Sequence, residues 1–280
     1  MPLTSLQSDQ KTFVLGLGCQ KGGTTWIYES LAADPKVAKG WMKEYHVWNV
    51  IEGLDRTNIF EPRFINRVNP KKLLRRRMIL DTNQYFDYFF KLLAKRTVAA
   101  DITPAYNGLS SATLIKIRDG FAERSIPVKV IISIREPVSR IKSAVAMRCF
   151  KLRLIQKSMT VAEQRQVYLE QLNHFWSSSG CQFRTRYEKT IERATSVFGE
   201  KNLLVAVYDQ LFTDTFVNTL NEFLGTKIPT TATRRPVNAR KYSGFDDSAP
   251  DIEAKIRVFY ADTYRYCCKR FPAAKGWMND

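Results

Sequence analysis

Residues 16–26 read GLGCQKGGTTW: four glycines, one lysine and two threonines between an apolar run and a helix-like pattern. A glycine-rich turn that enters a helix N-terminus lets backbone N–H groups point inward around an anion, and the helix dipole adds attraction. The chemistry on offer is a phosphate cradle with Lys21 as its cation. The lysine precedes the glycine pair, as Lys21-Gly22-Gly23-Thr24-Thr25, whereas the Walker A loop ends in Gly-Lys-Ser/Thr. Ordinary ATP use is therefore disfavoured; the plainer alternative is a tight turn with a solvated lysine. A second constellation is VKVIISIREPVSRIKSAVAMR, residues 128–148. Arg135 follows an apolar strand pattern, Pro137 suits the first position of a helix, and Ser139 and Ser143 share one helix face. Ligands of open parallel sheets lie beyond the strand carboxyl ends, so Arg135 and the 16–26 loop are expected on one side, where a second phosphate fits. Surface charge is the competing explanation for Arg135 and Arg140.

The elements that must position these residues are legible as patterns. FVLGLG (13–18) predicts a strand, and TTWIYESLAAD a helix that stops before Pro35. TVAAD (97–101), VKVIISI (128–134) and LLVAVY (203–208) are continuous apolar strands of the kind covered on both faces. Helices are expected over 110–123, 137–149, 161–178, 186–198, 212–224 and 250–270. The alternation predicts an α/β, P-loop-like three-layer fold: a central parallel sheet flanked by helices. One domain is expected over 1–280, with its core at 13–224. Residues 53–96 mix aromatics with the basic run KKLLRRR and read as a possible insertion over the sheet edge. Residues 225–249 read as a long loop before the final helix.

A chain of 280 residues, 44% hydrophobic, can bury a sizeable core. Lys and Arg number 44 against 27 Asp and Glu, a net charge of +17, which favours an anionic partner. The first dozen residues lack a signal-peptide pattern, and no apolar run approaches the ~18 residues of a membrane span, so a cytoplasmic protein is expected. Five scattered cysteines without a CxxC pair predict reduced thiols rather than a disulfide framework or zinc site. His46 and His174 are too few and too far apart for a histidine metal cluster, and no metal is implied.

QKGGTT together with IREPVSRIKSA resembles the two nucleotide-binding signatures of sulfotransferases that use 3′-phosphoadenosine 5′-phosphosulfate (PAPS). The resemblance implies that Lys21, Gly22, Gly23, Thr24 and Thr25 hold the 5′-phosphosulfate, and that Arg135 and Ser143 hold the 3′-phosphate. KEYHVWN (43–49) is similar to the Lys-Glu-x-His-Phe-Phe-Asp segment of heparan sulfate sulfotransferases, and ADITPAYNGL (100–109) to their Glu-Lys-Thr-Pro-Ala-Tyr-Phe segment. Glu44 then matches the catalytic base. Ile102 stands where those enzymes carry an acceptor-site lysine, and Asn49 where they carry an aspartate, so heparan sulfate is not carried over as acceptor.

The implied chemistry is in-line transfer of a sulfuryl group from PAPS to a hydroxyl or amine, leaving 3′,5′-ADP, without a metal. Glu44 takes the acceptor proton and Lys21 counters charge on the leaving phosphate. His46, two residues on, orients Glu44 or is itself the base. Arg240 and Lys241 are expected to close over the nucleotide, with a solvated basic loop as the alternative. Trp41, Trp48, Tyr85, Phe86, Tyr88, Phe89 and Phe90 could wall an acceptor pocket or be plain core. Two rival functions remain: an ATP-using P-loop phosphotransferase, and a non-enzymatic binder gripping nucleic acid or an anionic membrane through KKLLRRR and FKLRLIQK. No nucleic-acid motif accompanies those runs, so no nucleic-acid partner is expected. Acceptor class and oligomeric state are open at this stage.

Overall fold

The computed structural model describes residues 10–54, 69–156, 158–230 and 245–278. Five parallel strands form one sheet: β1 (Thr12–Gly16), β2 (Val37–Ala38), β3 (Val98–Ile102), β4 (Val128–Ile134) and β5 (Leu203–Val207), in the order β2-β3-β1-β4-β5. Central β1 pairs with β3 and β4, and their register puts Gly16 beside Ile102 and Ile131. All strands run the same way, so the segments that leave β1, β3, β4 and β5 emerge along one edge. That edge carries the candidate site, as expected for an open parallel sheet.

Alternation along β1 sends its side chains to two cores. Val14 packs with Trp26, Ile27 and Leu31 of α1 (Thr24–Ala32) and with Phe216, Val217 and Leu220 of α10 (Asp214–Leu224). Phe13 and Leu15 face the larger core on the other side. Among the helices that line that core are α4 (Thr82–Leu93), α5 (Ser111–Ala122), α6 (Pro137–Lys151) and α9 (Tyr187–Phe198). There Phe13 stacks on Phe121 at 4.0 Å and meets the edge of Phe89 at 4.7 Å. This is the three-layer α/β arrangement expected from the alternating patterns.

Differences from the expected boundaries have local causes. The two residues of β2 are too short to show a pattern. α7 (Val161–Phe175) starts on the Thr160–Glu163 capping box, and Ser178 then caps a separate α8 (Ser179–Thr185). The expected 250–270 helix is broken at Tyr260 into α11 (Pro250–Phe259) and α12 (Ala261–Arg270). The short α2 (Trp48–Ile51) follows the KEYH stretch. Within 53–96, Asn69 and Pro70 start α3 (Pro70–Leu80), with the Asn69 side chain accepting from the Lys71 and Lys72 amides. Asp81 caps α4, whose Tyr85, Phe86, Phe89 and Leu93 form one buried stripe facing β3. Among the described residues no helix is long and apolar enough to cross a membrane.

The α4 stripe joins the sheet to the outer helices through ring contacts that a smaller side chain cannot replace. Phe89→Ala should cost about 3–5 kcal/mol of unfolding free energy, read from the urea midpoint at unchanged m value. A loss under about 1 kcal/mol would show that this aromatic cluster is not integral to the core.

Candidate donor and transfer site

The glycine-rich loop leaves β1 at the carboxyl edge and turns into α1. Lys21 sits at φ 73° and Gly23 at φ 86°, the left-handed region that side chains other than glycine rarely enter. A Cβ at Gly22 would lie 2.5 Å from Cys19 Sγ and 2.9 Å from Ser133 Oγ. One at Gly23 would collide with Leu211 and stand 3.3 Å from Tyr208. Both positions therefore require glycine, because the loop is pressed onto β4 and onto the segment that follows β5. No side chain caps the N-terminus of α1, so its first-turn amides stay directed at the loop. Ser133 Oγ, buried beneath the same loop, has no hydrogen-bond partner among the described residues. Uncapped amides, two obligatory glycines and an orphaned hydroxyl fit an anion such as the phosphosulfate end of a nucleotide.

Two cations converge on this cradle. Arg135, just past β4, stacks over the Tyr208 ring at 4.4 Å, and its guanidinium reaches the Lys21 carbonyl at 3.4 Å. The Tyr187 hydroxyl donates to the Arg135 carbonyl at 2.7 Å, which pins the strand end to α9. Burial, together with the charges of Arg135 and Lys151, pushes the Lys21 ammonium below its ordinary value. The N-terminus of α6, next to Arg135, is capped from within the chain. Glu136 fills that position, accepting from the Val138 and Ser139 amides at 3.0 and 2.6 Å and from the Tyr264 hydroxyl. Ser143, the other residue expected to act with Arg135, is half-buried on α6. Arg140 is not surface charge: it is fully buried, donating to Cys181 Sγ at 2.9 Å. Arg240 and Lys241 lie outside the described residues.

The KEYH stretch forms the opposite wall. Lys43 Nζ donates to Thr25 Oγ1 at 2.9 Å and pairs with Glu44 Oε1 at 2.8 Å, so one ammonium bridges the glycine loop and the candidate base. His46 Nε2 lies 3.0 Å from Glu44 Oε2. An ionised carboxylate only accepts, which makes Nε2 the donor. Burial pushes the Glu44 carboxyl up, but the His46 hydrogen bond and the Lys43 charge outweigh it and hold the group at about 2. Glu44 is thus ionised at neutral pH, and its cation is Lys43 rather than Lys21. His46 has φ 53°, a strained backbone of the kind that accumulates at functional sites.

Lys43 and Arg75, which the structure brings to Glu44, were not singled out in the sequence. Lys43 could have been flagged by its place beside Glu44. Arg75 stands on α3, where four of its basic neighbours (Lys71, Lys72, Arg76 and Arg77) are exposed. It turns inward and donates to the Glu44 carbonyl at 3.1 Å, with its Nε buried and unpartnered. Nothing in KKLLRRR distinguishes it. Of the proposed aromatic wall, Trp48, Tyr85, Phe86 and Phe89 are core, Tyr88 is half-buried and bonded to Tyr45, and Trp41 and Phe90 are exposed. Ile102 is 1% exposed and packs in the smaller core; in this chain the position cannot contact an acceptor.

Asp101 anchors the wall. Its buried carboxylate accepts from the hydroxyls of Thr103, Tyr106 and Tyr85 at 2.5, 2.9 and 3.0 Å, and lies 3.3 Å from the Tyr45 amide. Thr103 Oγ1 also accepts from the Tyr45 amide at 3.0 Å, and the Tyr106 hydroxyl from the Val47 amide at 3.0 Å. Residues 45 and 47 are thereby tied to the end of β3 on both sides of His46. Burial lifts the Asp101 carboxyl to about 6 despite these hydrogen bonds.

The fold is a P-loop-like parallel α/β sheet, with the glycine loop after its central strand joined through Lys43 to the Glu44 carboxylate. The family described as Sulfotransferase domain matches residues 10–247, and the chain belongs to that family. Among solved structures it is similar to the sulfotransferase from Alicyclobacillus acidocaldarius, at 18% identity and a TM-score of 0.55, over 91% of this chain and 93% of that one. It also matches sulfotransferase STF9 from Mycobacterium avium (13% identity, TM-score 0.45, 91% of this chain and 76% of that one). A third match is the sulfotransferase domain from the curacin biosynthetic pathway (17%, 0.43, 79% and 75%). The first of these supports the shared fold. No curated protein matches the chain in sequence.

The raised pKa of Asp101 has a definite sign. Its folded value of about 6 exceeds the ordinary 3.8, so this group's contribution to stability is fully present below about pH 3.8 and is lost as pH rises through about 6. The stability of the wild type relative to Asp101→Asn should therefore increase by about 2 kcal/mol between pH 7.5 and pH 4.5. Urea titrations of both proteins across that range check it, and a pH-independent difference would mean that Asp101 does not titrate there.

Proposed function

We propose that the chain transfers a sulfuryl group from PAPS to an acceptor hydroxyl or amine, releasing 3′,5′-ADP. The observation that carries this reading is the convergence of Lys21 and Arg135 on an uncapped helix N-terminus, where burial and mutual repulsion already depress the lysine. Like charges held together at a glycine cradle favour a polyanionic ligand. The order Lys21-Gly22-Gly23 favours this donor over ATP.

In the proposed reaction Gly22, Gly23, Thr24 and Thr25 hold the 5′ end, and Arg135 with Ser143 the 3′-phosphate. Lys21 counters the negative charge that develops on the leaving phosphate oxygen. Lys43, already bonded to Thr25 and Glu44, links donor occupancy to the position of the base. Glu44 accepts the acceptor proton. A carboxylate held at about 2 is a weak base, but the acceptor oxygen becomes strongly acidic as its bond to sulfur forms, so a late proton transfer suffices. His46 orients the carboxylate through Nε2, and Arg75 holds the Glu44 backbone.

Arg135→Ala should weaken nucleotide binding by roughly 1.5–3 kcal/mol, with a larger loss for 3′,5′-ADP than for AMP. Calorimetry decides it: equal losses for both nucleotides would make Arg135 structural. Wild-type thermal shifts should likewise rank 3′,5′-ADP above AMP and ATP. Equal shifts would overturn the donor assignment.

Glu44→Gln keeps the shape of the side chain and removes the base. Nucleotide affinity should persist while single-turnover transfer falls about 100-fold or more, with His46→Ala less severe. Near-normal transfer in Glu44→Gln with collapse in His46→Ala would move the base role to His46.

A further inference from the structure

Lys43 touches both halves of the site, and the direction of its hydrogen bonds bears on the donor half. Its Nζ lies 2.9 Å from Thr25 Oγ1, 3.4 Å from Thr24 Oγ1 and 2.8 Å from Glu44 Oε1. An ammonium has three N–H groups and no lone pair. These contacts therefore use all three, and both threonine oxygens act as acceptors. The adjoining backbone is held on two sides: the Lys43 carbonyl accepts from the Ile102 amide at 3.0 Å, and the Glu44 carbonyl from Arg75 at 3.1 Å. The fold thus brings this ammonium to the start of α1.

A threonine whose oxygen accepts still has a hydroxyl hydrogen to place. Further along their helices, Thr185 and Thr219 give theirs to the carbonyls of Cys181 and Thr215 four residues back, at 2.7 and 3.0 Å. Thr24 and Thr25 open α1 and have no helical turn behind them to accept. The Lys21 carbonyl, four residues before Thr25, is reached instead by the Arg135 guanidinium at 3.4 Å. Among the described residues neither hydroxyl has an acceptor.

Both hydroxyls belong to the first turn of α1, beside amides that no side chain caps. An anion seated at that helix end meets amides and hydroxyls together. A hydroxyl that donated to a protein carbonyl would turn its lone pairs to the anion and repel it. One that accepts from a cation turns its hydrogen outward, and the cation polarises it into a stronger donor.

Resting on the sulfotransferase reading, we propose that Lys43 is a positioning residue of the donor site. By occupying lone pairs of Thr25, and more weakly of Thr24, it aims their hydroxyl hydrogens at the 5′-phosphosulfate, while the same ammonium holds Glu44. Lys43 thereby strengthens donor binding through the threonines, without itself touching the donor. The relay runs from ammonium to hydroxyl to anion, so it acts on the 5′ group and leaves the 3′ end of the nucleotide unaffected.

The test titrates the full chain in a calorimeter with 3′,5′-ADP, which carries the 5′ group, and with adenosine 3′-monophosphate, which lacks it. Lys43→Met keeps an unbranched stem and removes the ammonium. It should weaken 3′,5′-ADP about tenfold and leave adenosine 3′-monophosphate unchanged, which also shows that the variant is folded. Thr25→Val should cost about as much. The double variant should be little worse than either single one, because each breaks the same relay. No loss in Lys43→Met, or an equal loss for both nucleotides, overturns the proposal. So does a double variant weakened by about a hundredfold, the product of two tenfold losses, which would mean that Lys43 acts on the anion directly. A wild type that binds 3′,5′-ADP no better than adenosine 3′-monophosphate, or not at all, refutes the donor assignment instead, a result read before any variant is made.

Discussion

The carboxylate of Asp101 is the interaction on which the transfer site depends. A buried anion is tolerated only when its oxygens are well supplied with donors, and three hydroxyls and an amide converge on this one from α4, from the end of β3 and from the 43–47 segment. The donors that stabilise the charge belong to the elements that must be brought together, so satisfying Asp101 and assembling the wall are one event. Tyr45 and Val47 are held on either side of His46, which fixes the direction in which Glu44 and His46 project from a loop that has no regular structure of its own.

The cradle opposite is organised by positive charge. Lys21, Arg135 and Lys43 are gathered at the carboxyl edge of the sheet, with Arg75 behind Glu44. Burial first, and then the charges of Arg135 and Lys151, disfavour the charged form of Lys21, a cost that a bound anion would offset. Donors placed beforehand need not reorganise as charge develops, which is the main source of electrostatic catalysis. Lys43 joins the two halves, because a change in the charge around Thr25 is felt directly by Glu44. Glu136 satisfies the amides at the N-terminus of α6, whereas α1 keeps its uncapped end at the glycine loop.

Within the site, legibility followed sequence separation. The glycine loop and Arg135 lie in short motifs legible from strand, turn and helix signals, whereas Glu44 was singled out by the resemblance of KEYHVWN alone. The partners that make them a site could not be read locally. Lys43 reaches Thr25 across 18 positions, Arg75 reaches Glu44 across 31, and Asp101 approaches Tyr45 across 56. No pattern in KKLLRRR marks the one arginine that turns inward, because a helix with basic residues at most positions looks alike from every side until something packs against it. The aromatic run of α4 was equally ambiguous, since a stripe of rings is compatible with a pocket wall or a core, and only the presence of Phe13 and Phe121 beneath it decides for core.

The sequence by itself determined the strand, loop and helix units, because side-chain periodicity and glycine or proline placement act over a few residues. It also raised the expectation of an anion at the first loop, while the need for glycine at 22 and 23 came from the contacts and backbone angles of the fold. Tertiary structure alone decided the order of the strands, the split of the last helix at Tyr260, the burial of Arg140 and the contacts that hold Glu44. These depend on which surfaces meet after collapse, a long-range matter of shape and desolvation that residue order encodes only through the folded whole.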